Sequence, residues 1–190
     1  MRIKFLGDCY YCVSGVPVKN KRHAKNCVEL GLRMIRDIRE LRSERHLNID
    51  MRIGIHSGSI IGGVMGQNKW QYDVWSKDVI IANKVESTGV SGKIHITNRT
   101  LELLHGEYAV ELGPEAAQND PLLIKNRIQT FLISPVFDSM DEICLGRFGG
   151  NGLSRPASSS QLSYLEQNSI RKNFMQNSME QFRDIMQQTN

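Results

Sequence analysis

The amino-acid sequence predicts an α+β domain over residues 1–133, in which helices pack on a mixed or antiparallel sheet. Three observations support this fold class. Two short alternating segments at the N-terminus flank a Gly-Asp turn, one long segment repeats apolar residues at helical spacing, and strand and helix patterns then alternate. Because hairpins pair their strands antiparallel, the pattern does not fit a doubly wound parallel sheet.

The first predicted elements are a hairpin and a long helix. Residues 2–6 and 9–14 form the two strands, and Gly7-Asp8 is the turn between them. The helix covers residues 23–46, and its apolar stripe is expected to cover a sheet. That stripe consists of Ala24, Cys27, Val28, Gly31, Met34, Ile35, Ile38 and Leu41.

The later elements are shorter. A second helix is predicted at residues 78–85, and Asn98 is predicted to cap a short helix that ends at Leu104. Strands are predicted at residues 49–55, 59–65, 71–75, 93–97, 108–112 and 130–133.

Composition narrows the class of protein. The 190 residues are 40% hydrophobic and 23% charged, as in globular domains, and no run approaches the roughly 18 apolar residues of a membrane span. The N-terminus lacks the apolar region of a secretory signal. Four cysteines are too few for a disulfide scaffold, so reduced thiols in the cytosol are expected for Cys9, Cys12, Cys27 and Cys144.

The net charge of +4 is concentrated in one segment. Residues 19–46 hold nine basic and four acidic side chains, whereas residues 134–190 hold five basic and six acidic ones. A nucleic-acid-binding protein usually spreads its basic surface over a groove, and the aromatic signature of an RNA-recognition domain is absent. We therefore predict a solvated helix face and no nucleic-acid partner.

Residues 134–190 differ from the rest of the chain. They are rich in serine, asparagine and glutamine, and such a segment buries too little apolar surface to offset its chain entropy. We expect a polar linker or largely disordered tail. A short amphipathic helix that docks on a partner could be formed near the C-terminus by Ile170, Phe174, Met175, Phe182, Ile185 and Met186.

Two side chains stand out as candidates for phosphate or metal chemistry. Asp8 is placed at a hairpin tip, where a carboxylate is accessible to a hard cation such as Mg²⁺. Arg52 is placed within a predicted strand, where a rigidly held guanidinium suits phosphate. From local sequence alone, an ordinary turn aspartate and a solvent-facing strand arginine are the favoured interpretations. The glycines at residues 54–66 match no phosphate-binding loop, and His56 is interpreted as structural.

Four segments, at residues 3–15, 51–58, 69–79 and 92–97, closely resemble the catalytic domains of class III nucleotide cyclases. Within that family they are most similar to the transmembrane adenylyl cyclases of metazoans. The resemblance covers about residues 2–133 and implies a ferredoxin-like sandwich. It also implies an active site between two cytoplasmic catalytic halves, of which this chain resembles the first.

The resemblance implies roles for individual residues. Asp8 matches the second of two aspartates that bind two Mg²⁺ or Mn²⁺ ions, and Leu6 and Gly7 belong to the nucleotide-contacting turn. Arg52 matches the arginine that binds the triphosphate of ATP. The expected reaction is attack of the ribose 3′-hydroxyl on the α-phosphorus, which yields cyclic AMP and pyrophosphate.

Other positions imply a partner. Ile80 and Lys84 stand where the second half carries a catalytic asparagine and arginine, so a second catalytic half, in the same or another chain, should supply them. Lys4 and Asp73 stand where the second half reads adenine, a role not expected here. The family's diterpene-activator pocket is matched by Leu6, Trp75, Ser76 and Val79. Heterotrimeric G-protein subunits are further candidate partners.

Because the family's first metal aspartate lies well before the position of Asp8, the resemblance implies an N-terminally truncated domain that is inactive alone. The parent protein would sit at the cytoplasmic face of the plasma membrane. The alternatives are a non-catalytic regulatory or dimerisation domain of the same fold, and a guanylyl cyclase. The paired-half pattern and the context of Asp78 favour the adenylyl type.

Overall fold

The described residues have a mixed α+β fold, as the sequence predicts. The computed structural model describes residues 1–67 and 69–135, so nearly all of the predicted tail lies outside the described residues. The strands are β1 (Arg2–Leu6), β2 (Cys9–Cys12), β3 (Ile53–Ile55), β4 (Ile61–Met65), β5 (Gln71–Trp75), β6 (Ile94–Thr97), β7 (Glu111–Leu112) and β8 (Thr130–Ile133). The helices are α1 (His23–Arg45), α2 (Lys77–Ser87), α3 (Asn98–Glu102), α4 (Glu115–Gln118) and α5 (Pro121–Lys125).

A mixed four-stranded sheet forms the centre, in the order β3-β6-β8-β7. Strand β3 runs parallel to β6, while β8 pairs antiparallel with both β6 and β7. Two separate antiparallel pairs, β1–β2 and β4–β5, complete the strands of the described segments. The mixed sheet and the N-terminal hairpin both confirm the predicted fold class.

Helix α1 covers the central sheet with its apolar face. The helix buries most of the predicted stripe, whereas Arg33, Arg36 and Arg39 are exposed. At Gly31 the contact is so close that a Cβ atom would lie 2.9 Å from Cδ1 of Ile94 on β6. The predicted amphipathic helix and its packing on a sheet are confirmed.

A second apolar cluster lies under α2. It consists of Ile81, Val85, Ala117, Leu123 and Ile128, which come from α2 and from the segment that contains α4 and α5. Sequence periodicity did not predict α4 and α5, because four or five residues are too short to show it. A capping aspartate was the available signal for α5, since Asp120 accepts hydrogen bonds from the backbone N–H groups of Leu122 and Leu123.

Three predicted elements need correction. The strand predicted over residues 49–55 begins only at Ile53, because its partner strand β6 begins at Ile94. Before that point Met51 O accepts a hydrogen bond from the N–H of Gly92, which lies in the turn before β6. The strand predicted over residues 108–112 is reduced to the two residues that pair with β8. Thr97, not Asn98, caps α3, since its side chain accepts from the N–H of Thr100.

Candidate functional site

The turn between β1 and β2 presents Asp8 to solvent. Leu6 ends β1 and pairs with Cys9, so Gly7 and Asp8 make the two-residue turn that the sequence predicts. Gly7 has a φ of +62°, a left-handed conformation that strains most other residues. Asp8 is exposed at this tip. The fold thus places a carboxylate where a hard cation can reach it.

Arg52 lies directly before β3 and not within a strand, which corrects the prediction. Its Nε donates a hydrogen bond to Oε1 of Glu86 across 3.2 Å. Glu86 belongs to the last turn of α2, and both side chains are partly exposed. Sequence analysis missed this partner because the two residues are 34 positions apart and no local pattern joins them.

The Arg52–Glu86 pair sits on a tight contact between β3 and α2. A Cβ atom added to Gly54 would lie 2.2 Å from the backbone nitrogen of Glu86, so the two backbones touch. Burial raises the pKa of the Cys9 thiol, and the carboxylates of Glu86 and Asp8 raise it further. Both carboxylates therefore favour the protonated form of the Cys9 thiol.

The Asp8 carboxylate is suited to bind a metal ion as the one protein ligand that the described residues offer at this turn. In residues 1–67 and 69–135 no cluster of three or more histidine, cysteine or acidic side chains could hold a metal ion. Mg²⁺ usually binds through one or two carboxylates together with phosphate oxygens and water. One exposed carboxylate meets that requirement when the phosphate groups of a nucleotide supply further oxygens.

Lys4 and Asp73 pair with each other. Their side chains approach to 2.7 Å and tie β1 to β5, and the hydrogen bond from Lys4 lowers the pKa of Asp73. Lys84 likewise forms an ion pair of 3.2 Å with Asp120. Ile80, the other position matching a second-half catalytic residue, is an exposed apolar side chain. Lys4 and Lys84 therefore both have acidic partners within the fold.

His56 belongs to a partly buried polar network, in agreement with a structural role. Its Nε2 lies 3.2 Å from Oδ1 of Asp78 and its Nδ1 lies 2.9 Å from the hydroxyl of Thr97. Asp78 also accepts from the backbone N–H of Ser59 and from Arg99. Burial lowers the pKa of His56 and outweighs the opposing hydrogen bond to Asp78. The network joins the end of β3 to the starts of α2 and α3.

We expect the free energy of unfolding to fall as the pH drops below about 6.5. Burial lowers the pKa of both His56 and His95, so the unfolded chain binds more protons than the folded chain in acid. His95 is fully buried, and its Nε2 has no hydrogen-bond partner among the described residues. Urea unfolding at pH 7.5 and at pH 5.5 measures the difference, which should shrink in His95→Asn. Equal stability at the two pH values would contradict this expectation.

The β4–β5 hairpin exposes an apolar face. Three large apolar side chains on one side of this hairpin are 42% to 60% exposed, whereas a globular protein normally covers such a group. Trp70, in the loop that joins the two strands, is also exposed. The apolar face consists of Ile61, Met65 and Trp75, which share one side of the β4–β5 pair.

The described residues match one protein family along their whole length. The family model for the adenylate and guanylate cyclase catalytic domain matches residues 1–135. The chain belongs to this family. Cyclase domains of the family use divalent metal ions and act in pairs, as dimers or as pseudo-dimers with a second catalytic half. The family resemblance seen in the sequence is confirmed.

Relatives of the cyclase domain are metazoan adenylyl cyclases. "Adenylyl cyclase X E" of Drosophila melanogaster is 44% identical over 188 residues, which cover 97% of this chain and 17% of the relative. Adenylate cyclase type 9 of Gallus gallus is 38% identical over 136 residues, 70% of this chain and 10% of the relative. The chain thus spans less than a fifth of the length of these relatives.

The solved structure of the adenylyl cyclase CyaB from P. aeruginosa has a similar fold. The TM-score is 0.60 at 25% identity, and the match covers 72% of each chain. The cyclase fold that the resemblance implied is therefore confirmed, and the structure adds the Arg52–Glu86 contact to it. The roles of Leu6, Gly7, Asp8 and Arg52 in binding remain predictions.

Proposed function

We propose that this chain is a catalytic half of an adenylate cyclase, which converts ATP to 3′,5′-cyclic AMP and pyrophosphate when paired with a second half. The observation that carries the proposal is the exposed Asp8 carboxylate on the β1–β2 turn of a cyclase domain. The adenylyl cyclase relatives favour ATP over GTP as the substrate.

Each site residue has a part in the proposed reaction. Asp8 holds Mg²⁺ or Mn²⁺, two ions being expected in the complete enzyme, and Leu6 and Gly7 form the turn beside the nucleotide. Arg52 binds the triphosphate, as a planar guanidinium suits phosphate oxygens. When bound, the divalent metal neutralises phosphate charge and favours ionisation of the attacking hydroxyl. The catalytic asparagine and arginine come from the partner. At the matching positions of this chain, Ile80 cannot donate a hydrogen bond and Lys84 is held in an ion pair with Asp120.

The apolar face supports pairing with a second cyclase half. Burial of its three large apolar side chains in an interface would stabilise the pair by about 25 cal/mol for each Å² of apolar surface buried. Little activity is expected from this chain alone, because Asp8 is one carboxylate of an expected two-metal site and the second half supplies the catalytic asparagine and arginine.

We expect charged substitutions on the apolar face to weaken this pairing. Ile61→Glu or Met65→Glu would bury a carboxylate in the interface and raise the Kd for a second-half domain by at least about tenfold, or 1.4 kcal/mol. Analytical ultracentrifugation measures the Kd. Leu112→Glu is the matched control, since Leu112 is an exposed leucine on β7 outside the apolar face. Equal weakening by all three variants would argue against this surface.

Turnover and binding assays test the function itself. The full chain is mixed with a second-half domain of a relative, and cyclic AMP and cyclic GMP are measured with Mg²⁺ and with Mn²⁺. If the chain and the second half together bind an ATP analogue only in the presence of metal, the catalytic role is supported. Binding with the same affinity in the absence of metal favours a regulatory domain. Preference for a GTP analogue would identify a guanylyl cyclase.

Two parts of the proposal concern the parent protein. In the described segments no helix has the length and apolar character needed to cross a membrane. We place the parent at the cytoplasmic face of the plasma membrane because of its resemblance to transmembrane adenylyl cyclases. G-protein subunits are candidate regulators on the same grounds.

A further inference from the structure

We propose that Glu86 is a positioning residue that orients the Arg52 guanidinium toward the triphosphate of the nucleotide. This inference rests on the proposed function and adds a residue to its phosphate-binding site. Three features of the structure carry it: the atom through which Arg52 is held, the anchoring of Glu86, and the small contribution of this pair to stability.

The hydrogen bond uses the inner nitrogen of the guanidinium. Glu86 accepts from Nε of Arg52, so the bond leaves the two terminal nitrogens, Nη1 and Nη2, to other partners. Those nitrogens carry four N–H groups in a flat fork that matches two phosphate oxygens. A carboxylate bound at Nε therefore fixes the plane of the fork without occupying it.

Glu86 is itself held firmly. It lies in the last turn of α2, and its backbone touches β3 at Gly54. A Cβ atom added to Gly54 would lie only 2.2 Å from the backbone nitrogen of Glu86. Arg52 directly precedes the same strand, so the two partners are attached to backbones that cannot separate easily. An arginine side chain normally loses much rotamer freedom on binding a ligand, and pre-orientation reduces that cost.

Stability does not explain a glutamate at this position. A carboxylate near the C-terminus of a helix is disfavoured by the helix dipole, which favours cations there. An ion pair as exposed as this one, at 49% for Arg52 and 34% for Glu86, contributes only about 0–1 kcal/mol. Removing Glu86 should therefore leave folding nearly intact and expose its effect on Arg52.

The test measures binding of inorganic tripolyphosphate to the full chain by calorimetry at low salt. Glu86→Ala and Arg52→Ala should weaken binding by similar factors, about fivefold to tenfold, and the double variant should be no weaker than Arg52→Ala. Glu86→Gln retains an acceptor oxygen and should stay within about twofold of the parent. Glu29→Ala, which removes an exposed glutamate paired with Lys25 on α1, is the matched control.

The outcomes separate this inference from the proposed function. If Arg52→Ala binds tripolyphosphate as well as the parent, the proposed phosphate site is wrong and the role of Glu86 falls with it. If Arg52→Ala weakens binding but Glu86→Ala leaves it unchanged, the phosphate site stands and the positioning role of Glu86 is wrong. Tighter binding in both Glu86 variants would also overturn the inference, because Glu86 would then act by repelling phosphate.

Discussion

Asp8→Ala is expected to remove the Mn²⁺-dependent part of ATP-analogue binding by the chain paired with a second half. Asp8 is the carboxylate that the exposed β1–β2 turn presents, and no cluster of metal-binding side chains in residues 1–67 and 69–135 could replace it. A lost charged ligand should weaken the metal-dependent affinity by more than about tenfold, or 1.4 kcal/mol. Titration with and without Mn²⁺ measures the effect.

The controls for Asp8 address folding and general charge. Asp8→Asn keeps the size of the side chain and should lose the metal dependence as well, because a neutral amide is a weaker ligand for a hard cation. Glu102→Ala removes an exposed acidic residue from α3 and should bind like the parent. If Asp8→Ala retains the full response to Mn²⁺, the metal role of Asp8 is wrong.

Gly54→Ala is expected to lower the free energy of unfolding by about 3 kcal/mol or more. The new methyl group would lie 2.2 Å from the backbone nitrogen of Glu86 and 2.4 Å from its Cα, and neither atom belongs to a flexible side chain. Overpacking against a fixed backbone usually costs about 1–3 kcal/mol, and this contact is closer than ordinary cases. Urea unfolding followed by circular dichroism gives the value.

Gly63→Ala is the control for this substitution. Gly63 lies in β4, and the nearest atom to an added Cβ is in the Trp75 ring at the ordinary distance of 3.5 Å. Alanine has less backbone freedom than glycine in the unfolded chain, so this variant should be as stable as the parent or slightly more stable. A Gly54→Ala variant of similar stability would show that β3 and α2 can separate at low cost.

The elements that could be predicted from the sequence are those whose pattern is local. Helix α1 spans 23 residues and repeats its apolar stripe over several turns, so its bounds agree with the structure to within one residue. Strands β1, β5 and β8 agree at both ends. Residues 49–52 failed as a strand because their apolar residues pack without a neighbouring strand, and periodicity cannot tell burial from pairing.

The candidate site was predictable to a different degree for each residue. Asp8 follows from a two-residue turn between alternating strands, which is a short-range signal. Arg52 was singled out by its residue type and by the family resemblance, but its contact with Glu86 depends on how α2 packs on β3. Such a long-range contact is decided by tertiary packing, and a single sequence holds no direct signal for it.

Helix α2 connects two regions that the proposals treat separately. Ile80 is exposed near its start, which follows directly on β5 of the hairpin, while Glu86 near its end holds Arg52. A helix of this length is a stiff rod, about 1.5 Å long for each residue, so a shift at one end moves the other. If pairing reorients α2, occupation of the phosphate site must change the affinity for the second half by the same factor as pairing changes the affinity for phosphate.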